Sequence, residues 1–212
     1  MIVLKTGRAI CLIASRLFVI VTESNCSSIS GFMVFKSYCQ AFATQLVANT
    51  NSVKAKNIRA LLSSPTTYAN RLWSWKDAVG AGREWDYKRS IRAQHGIWIT
   101  DPDTKTEYNS DVWGNLNYGF VGLSVGISEG LLLSAAGAAQ VIDTGVAKGF
   151  GTRCLDGGLH RACLPSLDDP VDQEAIRLGI QMWKEIGSQL TWQHLIQLLR
   201  SKRSMLNTRR AR

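Results

Sequence analysis

The chain has 212 residues, of which 45% are hydrophobic and 19% are charged, with a formal net charge of +9 at pH 7. This composition excludes a wholly disordered chain, because such chains lack the apolar residues that fill a core. The charge is uneven: residues 1–71 sum to +7 (8 basic minus 1 acidic), residues 72–199 sum to −4 (11 minus 15), and residues 200–212 sum to +6. The basic excess is therefore no sign that the middle of the chain binds phosphates.

The first apolar run, Ala9 to Val21, follows Lys5 and Arg8 and contains Arg16. It is shorter than the roughly 20 apolar residues that a membrane-spanning helix needs. Its outline is similar to a signal peptide, but the internal charge and the lack of a nearby A-x-A cleavage site favour ordinary helix packing. We expect no stable membrane span here.

Two helical regions follow this run. Apolar residues spaced through residues 31–62 predict one or two helices. In the stretch SSPTTYANRLWSWKDAVG, Ser64 is a suitable helix cap, Pro65 suits the first turn and Gly80 ends the helix.

A short β-hairpin is predicted from Gly96 to Asn109. Residues 97–100 are β-branched or aromatic, and the sequence DPDT at residues 101–104 is a turn signal.

Glycines recur among large apolar residues from Asp111 to Gln140. A flexible linker would lack those apolar side chains, so the pattern predicts backbones that pack closely together. We expect a turn at Trp113-Gly114-Asn115, followed by a helix that Ser128 caps.

Residues 144–165 are irregular, and a strong helix start follows in LDDPVDQEAIRLGIQMWKEIG. Asp169 is a suitable N-cap, Pro170 fits the first helical position, and Gly187 ends the helix. A last helix is predicted over about Trp192 to Arg200, and the tail beyond Met205 is expected to be disordered. The five cysteines show no CxxC spacing. A disulfide between Cys154 and Cys163 would close a ten-residue loop in an oxidising compartment.

These elements predict an α+β fold, a mainly α-helical single domain with a short β-hairpin and basic terminal extensions. We expect a helical extension over residues 1–63, the domain itself over residues 64–200, and a basic disordered tail over residues 201–212.

The cluster GREWDYKRS combines aromatic rings with charges, a mixture that suits binding of a polar polymer. An amphipathic segment whose aromatic rings pack inside would look the same. His95 follows, and histidine as a residue type can serve as a general acid or base, but a histidine beside a turn is often only solvated. His160 and His194 complete no metal-ligand spacing with it, and we expect no metal or cofactor.

Asp168, Asp169 and Asp172 form the densest acidic group. They could act as acid and base or bind magnesium, while helix capping alone would account for Asp169. The chain has no Walker, GxSxG or HExxH motif, so the common hydrolase and nucleotide-binding classes gain no support.

Three segments resemble the bacterial polymorphic toxin type 44 domain over about residues 70–190. They are WDYK at residues 85–88, the stretch WGNLNYG leading to AAGAAQ at residues 113–140, and DDPVDQ at residues 168–173. In contrast to the usual family pattern, we expect a domain that stands apart from a long delivery module, and the segment before DDP carries Cys154, His160 and Cys163. The resemblance implies that the family's functional positions fall on Asp86, Lys88, Asn115, Tyr118, Gln140, Asp169, Asp172 and Gln173.

The resemblance also implies a toxin used in competition between bacteria, made in the cytoplasm, secreted or delivered into a target cell, and paired with a cognate immunity protein. A metal-independent ribonuclease is the first hypothesis, with His95 or His160 moving protons and Lys88, Arg83 or Arg92 stabilising charge. A peptidoglycan hydrolase using paired carboxylates is the second, and a non-enzymatic cassette that binds a protein or a membrane is the third.

The predicted site residues fall into two groups. We assign the chemistry to Asp86, Lys88, His95, Asp169 and Asp172. We assign substrate binding to Arg83, Trp85, Tyr87, Asn115, Tyr118, Gln140 and Gln173.

Overall fold

A computed structural model describes residues 3–4, 8–9, 23–63, 75, 77–79, 83, 85–145, 147–150 and 163–211. Their elements in chain order are β1 (Val3–Leu4), β2 (Arg8–Ala9), α1 (Glu23–Asn51), α2 (Val53–Ser63), α3 (Tyr87–His95), β3 (Trp98–Asp101), β4 (Thr106–Asn109), α4 (Ser110–Ser124), α5 (Glu129–Thr144), α6 (Cys163–Ser166), α7 (Pro170–Glu185), a 3₁₀ turn (Gly187–Gln189), α8 (Trp192–Lys202), a second 3₁₀ turn (Arg203–Met205) and β5 (Thr208–Arg210). The mainly helical α+β fold is confirmed.

The helices predicted over residues 31–62 are α1 and α2. Phe35, Tyr38, Phe42 and Leu46 of α1 are buried, and the rings of Tyr38 and Phe42 pack edge-on against Trp113 of α4. The N-terminal segment from residue 31 onward therefore shares the core of the later helices. No helix in the described ranges is both long and apolar enough to cross a bilayer.

The helix expected after Ser64 is described only in part. Trp75 and residues 77–79 are helical, whereas Ser64, Pro65 and Gly80 lie outside the described residues.

The predicted hairpin is present as β3 and β4, which pair antiparallel with Trp98 opposite Asn109. β5 adds a third strand on the other side of β4, with Thr208 opposite Tyr108. The expectation of a disordered tail is therefore wrong for residues 201–211. The strand pairing supplies backbone hydrogen bonds, and the Arg209 guanidinium lies 4.1 Å from the centre of the Trp98 ring.

The turn predicted at Trp113-Gly114-Asn115 is wrong, because α4 runs through it without a break. The Asn109 side chain caps this helix by accepting a hydrogen bond of 3.0 Å from the Asp111 backbone N–H. Trp113 is fully buried, and that burial outweighs the roughly 1 kcal/mol that a glycine costs inside a helix.

The close packing that the glycines predict is found between α4 and α7. A Cβ atom at Gly119 would overlap the backbone oxygen of Ile176, and one at Gly179 would overlap the backbone oxygen of Leu116. The two backbones thus touch where a side chain would keep them apart.

The α7 start follows the prediction closely. Asp169 occupies the N-cap, its side chain accepts from the Val171 N–H at 3.1 Å, and Pro170 is the first helical residue. The helix ends before Gly187, which has a φ of +59°. Ser128 likewise precedes the first residue of α5, but its side chain makes no capping hydrogen bond.

Two cysteines have a defined state among the described residues. Cys39 is a buried free thiol, and Cys163 is disulfide-bonded. Cys154 lies outside the described residues, so its pairing with Cys163 stays a prediction.

Candidate active site

α3 presents two cations to the first turn of α4. Lys88 and Arg92 lie one helical turn apart, and both reach the Asp111 carboxylate, with Nζ–Oδ1 and Nη2–Oδ1 distances of 4.0 Å and 2.8 Å. The Lys88 stem crosses Gly114, because a Cβ there would lie only 2.5 Å from Lys88 Cγ. Gly114 thus makes room for the lysine.

α4 contributes a polar face in which Asp111, Asn115 and Tyr118 follow the helical spacing i, i+4 and i+7. The Tyr118 hydroxyl donates to the Leu132 carbonyl of α5 at 3.1 Å, and burial raises the pKa of Tyr118 to about 12. Asn115 is 7% exposed, and its Nδ2 is buried without a hydrogen-bond partner.

The start of α7 contributes the acidic group. Asp168 is buried and accepts hydrogen bonds from the Asp169 backbone N–H at 3.0 Å and from Gln173 Nε2 at 2.8 Å. Gln173 Nε2 also donates to the Leu133 carbonyl of α5 at 3.1 Å. Burial raises the pKa of Asp168, although these two hydrogen bonds oppose the rise.

Asp172 connects these elements electrostatically. Burial raises its pKa to about 6; Lys88 opposes the rise, and the carboxylates of Asp168, Asp111 and Asp169 add to it. The α7 dipole favours the ionised form by only about 0.3–1 kcal/mol, less than a two-unit shift represents. Asp172 therefore exchanges its proton near neutral pH, as a general acid must.

The first turns of α4 and α7 lie side by side. Asp111 belongs to the first turn of α4 and acts on Asp172 in the first turn of α7, while the same helices touch farther along at Gly119 and Gly179. Both helices therefore run in the same direction, and their N-termini share one site.

The other residues of the GREWDYKRS cluster have separate surroundings. Asp86 precedes α3 and pairs with Arg89 at 3.7 Å, and Arg83 forms an exposed ion pair with Asp77 at 3.1 Å. Trp85 is 4% exposed and packs against Trp75, so its ring has almost no surface for a substrate.

A buried amide network holds the first residue of α3. The Tyr87 hydroxyl donates to Asn49 Oδ1 of α1 at 3.1 Å and accepts from Asn49 Nδ2 at 2.8 Å. Asn49 Nδ2 also donates to Asn117 Oδ1 of α4 at 3.1 Å. This network fixes the start of α3, and hence Lys88, against α4.

His95 does not join the carboxylates. It follows Lys88 by seven residues, which is about 10 Å along the axis of a helix. Its ring packs edge-on against Tyr38, with centroids 4.6 Å apart, and lines a cavity of about 340 Å³ together with Trp98. His160 lies outside the described residues, and His194 caps α8 together with Thr191.

Gln140 is also apart from the site. It is half-buried on α5, seven residues beyond Leu133 and so about 10 Å farther along the helix axis. Within the described part of the chain, no group of three or more His, Cys, Asp or Glu residues is arranged to hold a metal ion.

Asp111 is the site residue that the sequence prediction missed. Its spacing to Asn115 and Tyr118 is helical, but the expected turn at residues 113–115 hid that spacing. Reading residues 110–124 as a capped helix would have placed Asp111 on the same face as both.

Comparison with known proteins adds one match. A family model described as bacterial toxin 44 matches residues 74–185, which are 112 of the 212 residues. The matched span contains α3, α4, α5 and the whole of α7. No curated protein and no solved structure matches the chain.

Proposed function

Because the chain belongs to the bacterial toxin 44 family, we propose that it is an antibacterial toxin that hydrolyses the glycan strands of peptidoglycan. The observation that supports this most is Asp172, a half-buried acid with a pKa of about 6 beside the ion-paired carboxylate of Asp111. Glycan hydrolysis needs such a pair, one carboxyl group that keeps its proton and one that stays charged.

In the proposed reaction, Asp172 gives its proton to the glycosidic oxygen as the bond from that oxygen to the sugar carbon breaks. The Asp111 carboxylate stabilises the positive charge that develops on the sugar ring. A water molecule then adds to the sugar carbon, and the proton that it releases returns to the site, so that Asp172 is protonated again. Lys88 and Arg92 keep Asp111 in place.

The charge balance favours a neutral polymer over a phosphodiester. Four carboxyl groups (Asp111, Asp168, Asp169 and Asp172) lie together with Lys88, and the second cation, Arg92, pairs with Asp111. Each carboxyl group that is ionised repels a phosphate at short range.

RNA remains the second candidate substrate, because Lys88 and Arg92 lie on one face beside an acid that titrates near neutral pH. In this case the cations would stabilise the pentavalent phosphate and Asp172 would protonate the leaving oxygen. His95, the other acid–base candidate, lies two helical turns from Lys88 and would have no part in this step.

We further propose that the toxin is exported or delivered into a competing bacterium and that a cognate immunity protein protects the producer. The family membership supports both statements.

The test is expression in a bacterium with and without a periplasmic signal, followed by assays of purified protein on peptidoglycan and on total RNA. We expect lysis from the periplasm only, and loss of both lysis and peptidoglycan cleavage in Asp172→Asn. Glu185→Gln, on the exposed end of the same helix, is the matched control and keeps activity. RNA degradation with intact peptidoglycan would overturn the glycan proposal.

A further inference from the structure

Two side-chain amides of the acidic site each keep a buried atom without a hydrogen bond. They are the Nδ2 atom of Asn115 and the Oε1 atom of Gln173. The two residues are 7% and 4% exposed. A buried polar atom without a partner costs about 1–3 kcal/mol. Such atoms are rare in folded proteins, and each one calls for an explanation, such as a bound water, an ion or a functional role.

Shared neighbours bring both amides to one place. Gln173 Nε2 donates to the Leu133 carbonyl, and the Tyr118 hydroxyl donates to the adjacent Leu132 carbonyl. Asn115 lies one turn before Tyr118 on the same face of α4. Gln173 also contacts Asp168, which acts electrostatically on both Tyr118 and Asp172. Gln173 and Tyr118, which lies one turn after Asn115, thus bond adjacent carbonyls of α5 next to the Asp168 carboxylate.

We infer that this pair recognises the secondary amide of an N-acetylated amino sugar, an inference that rests on the proposed glycan hydrolysis. The Asn115 amide N–H donates to the acetyl carbonyl oxygen, and the sugar N–H donates to Gln173 Oε1. The orientation of the Gln173 amide is fixed, because its Nε2 donates to two acceptors, the Leu133 carbonyl and Asp168; its Oε1 is therefore the acceptor end, and a secondary amide offers the donor that it lacks. A nucleobase edge carries the same two groups, but the four carboxyl groups disfavour its phosphate backbone.

This arrangement selects against substrates without the acetyl group. A free amine would place a positive charge beside Asn115 and would leave its N–H without an acceptor. A site that forms hydrogen bonds with its substrate strongly rejects analogues without the bonding group, because the buried protein groups then stay unpaired.

The first experiment compares kcat/KM of the full chain on peptidoglycan, on chemically de-N-acetylated peptidoglycan, and on the same material acetylated again. We expect kcat/KM to fall at least tenfold when the acetyl groups are removed and to recover when the material is acetylated again. Equal rates on all three would overturn the inference and leave the proposed hydrolase standing. Absence of cleavage on all three by folded protein would count against the hydrolase itself.

The second experiment uses Asn115→Leu, which keeps the side-chain size and removes the amide. We expect it to lower kcat/KM on acetylated substrate only, so that discrimination disappears, while its Tm stays the same or rises because no hydrogen bond is lost in the free protein. Gln181→Met, whose parent amide contacts Glu185 on the surface, is the matched control and keeps discrimination. If Asn115→Leu keeps discrimination as well, Asn115 binds only a buried water and the inference fails.

Asp172→Asn provides a binding assay without turnover. Titration with N-acetylglucosamine tetramer should show saturable binding that glucosamine tetramer and oligouridine do not compete away. Saturable binding of oligouridine alone, or no binding of the acetylated tetramer, would overturn the inference.

Discussion

At the scale of single residues, the site depends on burying carboxyl groups that water would ionise. Asp172 is held half-buried among three other carboxyl groups, and its pKa of about 6 lies two units above its ordinary value of 3.8. Each unit corresponds to about 1.4 kcal/mol of difference between the two protonation states. The chemistry proposed for Asp172 is therefore obtained at the expense of the stability of the fold.

Replacing Asp172 with Asn should abolish activity and stabilise the protein at pH 7. The folded state binds its proton more tightly than the unfolded state, so wild-type stability falls as pH rises from about 4 to about 6. Above pH 6 the buried carboxyl group lowers the free energy of unfolding by about 3 kcal/mol. The neutral amide in Asp172→Asn does not ionise, so the variant avoids this loss.

Thermal melts at pH 4 and pH 7 measure this difference. We expect Asp172→Asn to melt higher than wild type at pH 7 and at nearly the same temperature at pH 4. A gain of equal size at both pH values would show that the carboxyl group is not buried as described.

The activity of the wild type should also follow the acid form of Asp172. Because a general acid works while it is protonated, we expect kcat/KM to fall about tenfold for each pH unit above about 6. The pH–rate profile measures this directly. A profile that is flat between pH 5 and pH 8 would contradict the assignment of Asp172 as the acid.

Gly114→Ala should displace Lys88 without unfolding α4. The new Cβ would lie 2.5 Å from Lys88 Cγ, and that flexible side chain can move aside. Since Lys88 opposes the rise in the pKa of Asp172, its displacement should move the alkaline limb of the pH–rate profile to higher pH. Gly130→Ala, where a Cβ meets nothing within 4 Å, is the control and should leave the profile unchanged.

At the scale of elements, the α4–α7 contact decides how the site is assembled. Gly119→Ala would drive a methyl group into the backbone of Ile176, which cannot move as a flexible side chain does. We expect a loss of about 1–3 kcal/mol in the free energy of unfolding. Urea denaturation measures this loss. Gly130→Ala on α5 is the control, and it should raise the free energy of unfolding by up to about 1 kcal/mol, because alanine is favoured over glycine inside a helix. Similar losses for both variants would argue against the close contact.

Sequence patterns predicted the elements whose signals are local. Asp169 followed by Pro170 marks the start of α7, and the DPDT turn marks the hairpin, because both depend on neighbouring backbone geometry. The turn predicted at Gly114 was wrong because tertiary burial of Trp113 decides that segment. Trp85 and Lys88 look alike as parts of one charged aromatic cluster, and only the fold separates the buried ring from the site lysine.

At the scale of the whole molecule, one ion pair ties the hairpin to the C-terminal helix. Arg200 Nε and Nη2 each bond Asp101 at 2.7 Å, and Asp101 is fully buried. Arg200→Met leaves that charge buried without its partner and should cost about 3–5 kcal/mol in unfolding free energy.

Lys202→Met is the control for this ion pair. Lys202 contacts Glu174 at 3.4 Å nearer the surface, and its loss should cost at most about 1 kcal/mol. Urea denaturation of both variants gives the comparison, and equal losses would show that the Asp101 pair does not hold the sheet to α8.

The parallel start of α4 and α7 makes the carboxylates part of the architecture. Each helix N-terminus carries about half a positive charge, so two of them side by side repel each other unless anions stand between them. Asp111 and Asp169 supply those anions. Each acid stabilises its helix by about 0.3–1 kcal/mol, so a variant that has lost the chemistry still gains from keeping them, and their presence in a related chain would not by itself prove that the chain is an active toxin.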